Sequence, residues 1–332
     1  MGARRRLTLA ASRRPRIGVV LGAGGVLGAA WTAGALVALQ HRLDRPIGEA
    51  DLIVGTSVGS VLATALRCGV DVDEIVAHQR GAAHVQLPQL HELDRDSGGP
   101  LPPLPRLRLG SLRLLASTAW SPRRIHPLVA ASALLPQGRA QHLSLARLVD
   151  GLLARQDYDW PERETWVMAV DYWSGRRTAF GRPGAAAATM PEAVVASCSI
   201  PGWYAPKLIG GRYYIDGGVR SVTSLALLSK VDLDEVYVLA PMASYAPGSA
   251  GGAIASIERR IRRLITVGLT NEARKVKAAT GARVSVLTPG PEDLAALGVN
   301  PMDPSRRQQV LETSLRTAPD TLAAVESRQR AA

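Results

Sequence analysis

The feature that most limits the possible folds is an uncharged segment, interrupted by glycines, near the start of the chain. Residues 17–39 carry no charged side chain over 23 positions, yet six of those positions are glycine. The segment opens with the apolar run IGVVL, breaks at GAGG and continues as an alanine-rich stretch. This order predicts a short buried strand, a tight loop and a buried helix.

Two other interpretations of this segment stay open at the level of sequence. Arg13, Arg14 and Arg16 precede it, so by hydropathy it could be a membrane span or the apolar part of a signal peptide. Six glycines do not suit a continuous spanning helix, whereas a strand–loop–helix unit explains them. We expect residues 1–16 to be a disordered basic arm, unless they reflect a wrongly assigned start site.

Further along the chain, strand-like and helix-like patterns alternate. Residues 51–55 (DLIVG) and 235–240 (EVYVLA) are typical of short buried strands, and a long helix is predicted near 254–280. Such alternation predicts an α/β fold with a mainly parallel sheet and helices on both faces. We see no internal repeat and no second core, so 17–332 should form a single domain, with a proline-rich cap or insertion near 86–126.

Two helical details carry expectations of their own. In the predicted long helix, an apolar stripe that includes Ile257, Ile261 and Leu264 lies opposite a row of arginines, which is typical of a core face and a solvated basic face. Towards the end of the chain, Pro304 and Pro319 each predict the first turn of a helix.

The sharpest local signal is Gly55-Thr56-Ser57-Val58-Gly59, directly after an apolar strand and before a helix. In this position Gly-x-Ser-x-Gly is typical of a nucleophile on a tight turn, where glycines on either side leave room for the serine. The amino end of the following helix would favour developing negative charge. Ser57 is therefore a candidate nucleophile, and the alternative is an ordinary turn with Ser57 as a helix cap.

The histidines limit how such a serine could be activated. All six, at positions 41, 78, 84, 91, 126 and 142, precede residue 143. An α/β-hydrolase places its histidine after the nucleophile and the acid, so that arrangement is excluded. His78, His84 and His91 also lack the spacing of a helical zinc pair. The expected base is a carboxylate, and no metal is expected.

The loop GAGGVLG at 22–28 permits two functional interpretations. As a dinucleotide fingerprint it is incomplete. The motif Gly-x-Gly-x-x-Gly, started at Gly22, requires a glycine at position 27, where this chain has Leu27. As an oxyanion hole it fits better, since consecutive glycines let main-chain N–H groups approach a reacting carbonyl. A close-packed turn without a chemical role is the remaining alternative.

A carboxylate stands at the end of another predicted strand. Asp216-Gly217-Gly218 follows the apolar run that ends in Ile215. An acid before two glycines is placed for close backbone approach, but by itself this sequence is more often a turn signal. Asp216 therefore counts as a candidate only in combination with the other motifs.

Together these motifs resemble the patatin-like phospholipase family. The matching elements are the loop GAGGVLGAAW, the turn GTSVG, the stretch ASCSIP at 196–201 and Asp216-Gly217-Gly218, in the family's order over roughly residues 17–240. The resemblance implies a three-layer α/β fold and a serine-dependent hydrolase of lipid esters or phospholipids that needs no cofactor and no metal.

The resemblance also implies roles for individual residues. Ser57 would be the nucleophile and Asp216 the general base of a Ser-Asp dyad, and the main-chain amides of Gly24 and Gly25 would bind the oxyanion. The serine would form an acyl-enzyme, from which the acyl group passes to water. The remaining motif glycines would shape the turns; they are Gly22, Gly28, Gly55, Gly59, Gly217 and Gly218.

The sequence departs from the family pattern in two places. The loop usually carries a basic residue just before its last glycine, where this chain has Leu27. Without that cation, we expect a bias towards less charged esters. The Asn-x-Pro that often follows the Asp-Gly pair is replaced by SVTS at 221–224.

Composition and charge limit which classes of protein and of binding partner this sequence allows. With 46% hydrophobic residues over 332 positions the chain can bury a large core, and its two cysteines exclude a disulfide framework. The net charge is +12, and the stretches 1–16 and 97–149 contain arginines and no acid. Aromatic residues are only 4% and no reading motif is present, so nucleic acid is not an expected partner. We expect a cytoplasmic protein with peripheral contact to anionic membranes.

Three other functions stay open on the sequence alone. One is a nucleotide-binding module that uses the glycine loop, which a nucleotide thermal-shift screen would detect. Another is a catalytically silent lipid-binding protein of the same fold, which would show no ester turnover. The third is an acyltransferase that passes the acyl group to an acceptor alcohol.

Overall fold

The computed structural model describes residues 14–82, 103–121, 125–156, 158–246 and 252–330. Strands β1 to β10 are Ile17–Leu21, Leu52–Thr56, Arg106–Leu109, Pro136–Gln137, Thr165–Asp171, Arg177–Phe180, Lys207–Ile209, Arg212–Asp216, Glu235–Leu239 and Arg283–Leu287. Helices α1 to α10 are Gly25–Arg42, Val58–Arg67, Val72–Gln79, Leu112–Trp120, Pro127–Ser132, Leu143–Leu153, Met190–Cys198, Ala253–Thr280, Pro291–Leu297 and Arg307–Arg330.

The central sheet has the strand order β10-β9-β1-β2-β5-β8-β7, with β6 also paired to β5. From β10 to β5 all neighbouring strands are parallel. Strands β6, β7 and β8 join with antiparallel pairing. The prediction of a mainly parallel sheet is confirmed, and the antiparallel part is confined to one side.

Helices cover both faces of this sheet. Val19 belongs to a core that includes residues of α1, α2, α3, α6, α7 and α10, whereas Val20 belongs to a second core with α8. Successive strand residues point to opposite faces, so each neighbour enters a different core. Burial on both faces explains why the strands are continuous apolar runs, and the predicted three-layer α/β architecture is confirmed.

The uncharged segment 17–39 folds as a buried strand, a loop and a buried helix. All five residues of β1 are buried, and most of α1 is buried too. Among the described residues, no helix combines the length and the apolarity needed to cross a bilayer. The strand–loop–helix interpretation is therefore confirmed.

Part of the predicted basic arm makes defined contacts. The Arg16 guanidinium lies 2.9 Å from a carboxylate oxygen of Asp232, and its main-chain N–H donates to Asp234 at 2.6 Å. Residues 1–13 lie outside the described residues.

The predicted cap, 86–126, is described only in part. Its described residues include β3 and α4, and Leu114 of α4 is fully buried in a third apolar cluster against β5 and β8. Arg113 lies over the ring of Trp173, 4.0 Å from the centroid, whereas Trp120 is 91% exposed. The rest of this segment lies outside the described residues.

Two helix predictions prove wrong. Pro319 does not begin a helix, because α10 continues through it. An internal proline removes a helical hydrogen bond, but α10 packs against α1, and the Ser314 hydroxyl donates to the Trp31 carbonyl at 2.7 Å. In α8, Ile257 and Leu264 are more than 60% exposed, so most of the predicted apolar stripe does not face the core, although its last residue, Ile265, is half-buried and packs against the core. A different face of α8, with Leu269 among its residues, is the buried one.

Arg67 is a buried arginine that joins three segments at the amino ends of the strands. Its guanidinium donates to the carbonyls of Gly48, Ala50 and Glu164 at 2.6 to 2.8 Å, and to the Thr165 hydroxyl at 2.9 Å. Burial is the main cause that lowers the pKa of Arg67 to about 10. The planar group therefore acts as a cross-link between the end of α2, the turn before β2 and the start of β5.

We expect Arg67→Lys to lower the free energy of unfolding by about 2–4 kcal/mol. An ammonium has three donors on one atom and cannot reach all four acceptors, so buried carbonyls lose their partners. Denaturant unfolding measures the effect, with Arg283→Lys, at an arginine side chain that is 59% exposed, as the control. Equal stability of the two variants would contradict the cross-link.

Candidate active site

Ser57 occupies the turn between β2 and α2 in a strained backbone conformation. Its φ is +54° and its ψ is −129°. Among the described non-glycine residues, Ser224 is the other one with a positive φ. Such a backbone costs on the order of 1–3 kcal/mol and is concentrated at functional sites. The conformation is the sharp strand-to-helix turn that the motif predicts.

Space explains the glycines on either side of this turn. A Cβ built on Gly55 would lie 2.4 Å from Cα of Ser60, and one on Gly59 would lie 2.1 Å from the carbonyl oxygen of Leu21. Both contacts are with backbone, which cannot move aside as a flexible side chain could. The turn therefore requires glycine at both positions.

The hydroxyl of Ser197 holds the strained turn in place. The main-chain N–H of Ser57 donates to Ser197 Oγ at 2.8 Å, and Ser197 Oγ donates in turn to the Met168 carbonyl at 2.7 Å. On the other side, Ser60 Oγ donates to the Ser57 carbonyl at 2.6 Å. Ser197 is fully buried on α7, so the ASCSIP stretch contributes a side chain that positions the turn.

Sheet register brings Asp216 level with Ser57. Strand β5 lies between β2 and β8; Thr56 pairs with Met168, and Asp216 pairs with Ala169. Ser57 follows Thr56, so it meets the same level of β5 from the other side. Two inter-strand steps amount to roughly 10 Å between backbones. The side chains close most of this gap, because the Ser57 hydroxyl lies near enough to the Asp216 carboxylate to lower its pKa.

Burial makes Asp216 an unusually basic carboxylate. Only 4% of the residue is exposed. This burial raises the pKa of Asp216 to about 6, although the hydrogen bond from the Gly218 N–H and the nearby Ser57 hydroxyl oppose the rise. The Gly218 N–H donates to Asp216 Oδ1 at 2.7 Å. A carboxylate with this pKa can accept a proton near neutral pH and return it.

Space requires glycine at position 217 and leaves little room for a side chain at position 218. A Cβ on Gly217 would lie 2.5 Å from the Met168 carbonyl oxygen, and one on Gly218 would lie 3.0 Å from Asp216 Oδ1 and 3.1 Å from the Ala23 side chain. The main chain of Gly217 and Gly218 thus packs closely around the Asp216 carboxylate. Asp216, Gly217 and Gly218 form one compact turn against β5 and the glycine loop.

The glycine loop between β1 and α1 is packed from two directions. A Cβ on Gly24 would lie 2.6 Å from Cγ of Pro241. Gly25 has a φ of +61°, and a Cβ there would lie 2.7 Å from Sδ of Met302. The remaining motif glycines of the loop are also tight, since a Cβ on Gly22 or Gly28 would approach its nearest neighbour to 3.0 or 3.2 Å.

The main-chain amides of this loop fall into two groups. The Ala23 N–H donates to the Val222 carbonyl at 2.8 Å. In the described part of the chain, no backbone carbonyl accepts from the N–H of Gly24 or Gly25. Gly25 and Ser57 line the same cavity. The loop therefore has donors to offer to a bound ligand, as an oxyanion hole needs.

The two departures from the family pattern have clear places in the structure. The Leu27 side chain is fully buried in the core of α1 and does not line the cavity beside Ser57. A basic residue there would have to be buried, so position 27 has no direct access to a substrate head group. In the SVTS stretch, Ser221 Oγ accepts from the Ser224 N–H at 2.9 Å, and the Val222 carbonyl supports the glycine loop.

A cavity of about 170 Å³ opens beside Ser57. Its walls are mainly aliphatic side chains from α2, α3 and α6. The principal ones are Val58, Val61, Leu62, Ile75, Leu145, Leu148 and Leu152. An apolar cavity of this kind suits the hydrocarbon chain of a ligand better than a polar group.

Sequence reasoning missed three residues of this site. His142 stacks on Tyr204 with ring centroids 3.7 Å apart, its Nε2 lies 2.9 Å from the Cys198 carbonyl oxygen, and all three residues line the cavity. Burial and the nearby Asp216 raise the pKa of the Cys198 thiol, and the side chains of Ser57 and Ser60 oppose the rise. No local motif marks His142 or Tyr204. Cys198 lies inside the ASCSIP stretch, which was a usable signal.

Within the described ranges, no group of three or more His, Cys, Asp or Glu side chains lies close enough to hold a metal ion.

Comparison with known proteins adds to this geometry. The patatin-like phospholipase family matches residues 19–228, which include Ser57 and Asp216. No curated protein sequence matches the chain. Among solved structures, VipD from Legionella pneumophila is 14% identical with a TM-score of 0.44, and the match covers 94% of this chain and 67% of VipD. The type III effector ExoU is also 14% identical, with a TM-score of 0.34.

The match to ExoU covers 94% of this chain but only 53% of ExoU, so the chain spans about half of that protein's length. The match to the family extends over well more than half of the present chain. It contains the glycine loop, the serine turn, the ASCSIP stretch and the Asp-Gly-Gly turn in the predicted order. The chain belongs to the patatin-like phospholipase family.

Proposed function

We propose that this protein is a serine acyl hydrolase that cleaves ester bonds of lipids, with Ser57 as nucleophile and Asp216 as general base. Membership of the family indicates a lipid hydrolase in broad terms. The observation that supports the specific proposal is the position of the buried Asp216 level with Ser57 across β5, with Ser57 on a strained turn at the wall of an apolar cavity. Contact with a membrane surface is part of the proposal, since lipid esters reside there.

In the proposed reaction, the Asp216 carboxylate accepts a proton twice and gives it up twice. Asp216 accepts the Ser57 hydroxyl proton as the oxygen attacks the ester carbonyl, and the N–H groups of Gly24 and Gly25 stabilise the oxyanion. The tetrahedral species expels the alcohol, which takes the proton from Asp216 and leaves an acyl-enzyme. Asp216 then accepts a proton from water, which attacks the acyl-enzyme, and Ser57 regains its proton as the acid leaves.

The cavity accounts for the acyl side of the substrate. Aliphatic walls from three helices stand beside the nucleophile, and each methylene transferred from water into such a site contributes about 0.8 kcal/mol. The wall therefore favours esters with a hydrocarbon acyl chain over short, polar ones.

The proposal is tested with a panel of lipid esters and mass spectrometry of the products. A free fatty acid released from a phospholipid or neutral lipid is the expected result. Addition of an alcohol or a lysolipid as acceptor separates hydrolysis from acyl transfer, because transfer would give a new ester in place of the acid. Binding without turnover of any ester would overturn the proposal in favour of a silent lipid-binding protein.

The pH dependence of the rate follows from the buried carboxylate. Asp216 can act as a base only when ionised, and its pKa is raised to about 6. We expect kcat/KM to fall by about tenfold for each pH unit below that value, and to level off above it. Rates on a soluble ester, with circular dichroism confirming the fold at each pH, measure the profile. A midpoint at the ordinary carboxylate value of 3.8 would contradict the buried base.

A further inference from the structure

The first half of α8 exposes an apolar stripe to solvent. Ile257 is 62% exposed, Ile261 50%, Leu264 65% and Val267 54%. They recur at three- and four-residue spacing and so share one side of the helix over three turns. The helix is anchored by other residues, such as Leu269, which is buried in the core. Clustered large apolar side chains on a surface mark a contact site.

Arginines flank this stripe. Arg260 and Arg263 are exposed on the same helix. Within the described residues, no carboxylate forms an ion pair with either of them, whereas the neighbouring Glu258 pairs with Arg262 at 2.6 Å. The exposed side of the helix thus combines apolar and cationic groups, and an anionic partner with an apolar layer would complement both.

A groove beside the stripe adds positive charge. It has a volume of about 750 Å³ and lies between α8, the loop after β9 and the segment around α9. Among the described residues that line it are Arg259, Arg262, Arg263 and Arg306, against the single carboxylate of Glu258. Four guanidinium groups and one acid favour an anionic group such as a lipid phosphate.

This surface lies at the same edge of the sheet as Ser57. The Arg262 guanidinium donates to the Pro241 carbonyl at 2.9 Å, just after the carboxyl end of β9. The Pro241 ring in turn packs directly on Gly24 of the loop beside the candidate nucleophile. The start of α8 is therefore attached to the active-site edge and not to the far side of the molecule.

We propose that the first half of α8, with its adjoining groove, docks the protein onto an anionic lipid bilayer. Ile257, Ile261 and Leu264 enter the interfacial layer, and the arginines meet lipid phosphates. The choice of a bilayer rests on the proposed lipid hydrolase function, which requires access to such a surface. Docking through α8 presents the active-site edge towards the lipid.

Vesicle co-sedimentation tests the surface with the full chain. The vesicles are phosphatidylcholine alone or phosphatidylcholine with phosphatidylglycerol, each at low and high salt. We expect Arg260→Gln with Arg263→Gln to weaken binding to the anionic vesicles by about thirtyfold at low salt. Ile257→Ser with Leu264→Ser should weaken it by about tenfold at either salt concentration.

The matched control is Arg274→Gln with Lys275→Gln. It removes the same charge from two exposed positions in the second half of α8. This variant should bind vesicles almost as the wild type does. If the control variant loses as much binding as the Arg260→Gln, Arg263→Gln variant, the proposal is overturned. The proposal is also overturned if both the arginine variant and the Ile257→Ser, Leu264→Ser variant bind vesicles as the wild type does. A wild-type dimer that dissociates when Ile257 and Leu264 are replaced would overturn it as well.

Hydrolysis of a soluble monomeric ester separates this proposal from the proposed function. The α8 variants should hydrolyse that ester at the wild-type rate while losing activity on vesicles. If the wild type binds vesicles through α8 but hydrolyses no ester, the proposed function fails and the docking surface stands. If the soluble ester is hydrolysed but the α8 variants act on vesicles normally, the docking surface fails alone.

Discussion

Replacement of Ser57 by alanine is expected to lower the rate of lipid-ester hydrolysis by roughly 10⁴- to 10⁶-fold. The substitution removes the attacking oxygen and leaves the cavity and the glycine loop in place. Asp216→Asn should lower the rate by roughly 10⁴-fold, because the amide keeps the shape of the carboxylate but cannot accept the Ser57 proton. Rates of fatty-acid release for each variant measure the effect.

The double variant distinguishes a dyad from two independent contributions. Residues that act as one unit are strongly non-additive, so Ser57→Ala with Asp216→Asn should be hardly slower than Ser57→Ala alone. An organophosphonate should label the wild type at Ser57, and it should label Asp216→Asn more slowly. Full activity of Asp216→Asn, or a label on another serine, would reject the assignment.

Stability provides the control for the Asp216 variant. The native pKa of Asp216 is raised from 3.8 to about 6, so the native state binds more protons than the unfolded state between these values. Ionisation of Asp216 therefore destabilises the native state as pH rises through this interval. We expect Asp216→Asn to be at least as stable as the wild type at neutral pH, so a lost rate would reflect chemistry and not unfolding.

Gly59→Ala is expected to abolish most of the activity and to lower the free energy of unfolding by about 3 kcal/mol. The new methyl group would lie 2.1 Å from the Leu21 carbonyl oxygen and 2.9 Å from that of Gly22. Both atoms are backbone at the entry to the glycine loop, so α2 and β1 must separate. Displacement of reacting groups by about 1 Å costs on the order of 100-fold in rate.

Gly151→Ala is the matched control, because this glycine also lies in a helix but a Cβ there meets nothing within 4 Å. It should gain about 0.5–1 kcal/mol of stability and keep the wild-type rate. Thermal unfolding and ester hydrolysis compare the two variants. Wild-type stability and activity in Gly59→Ala would contradict the close packing of the turn.

The fold and the backbone of the site were predictable because each rests on a local pattern. The glycine loop, the serine turn and the strand before Asp216 are short runs in which glycine and apolar residues specify a backbone. The roles of Ser57 and Asp216 came from the order of several such runs, and they stay predictions. The register that sets Asp216 level with Ser57 depends on β5, which no motif links to either residue.

The cavity wall and the surface of α8 were harder to predict because they depend on how distant segments meet. His142 and Tyr204 stack across a gap of more than 60 positions, and nothing local to either residue signals the contact. In α8 the spacing of the apolar residues correctly predicts that they share one face of the helix. Spacing does not show which other segment, if any, packs against that face. The buried side of α8 uses smaller residues such as Ala255 and Thr266 together with Leu269.

The packing of Gly25 against Met302 has a consequence for the order in which the protein is made. A ribosome delivers the glycine loop and the serine turn early, but Pro301, whose carbonyl accepts the Leu27 N–H, and Met302 arrive more than two hundred residues later. The glycine loop therefore lacks part of its packing until the chain has been synthesised past Met302.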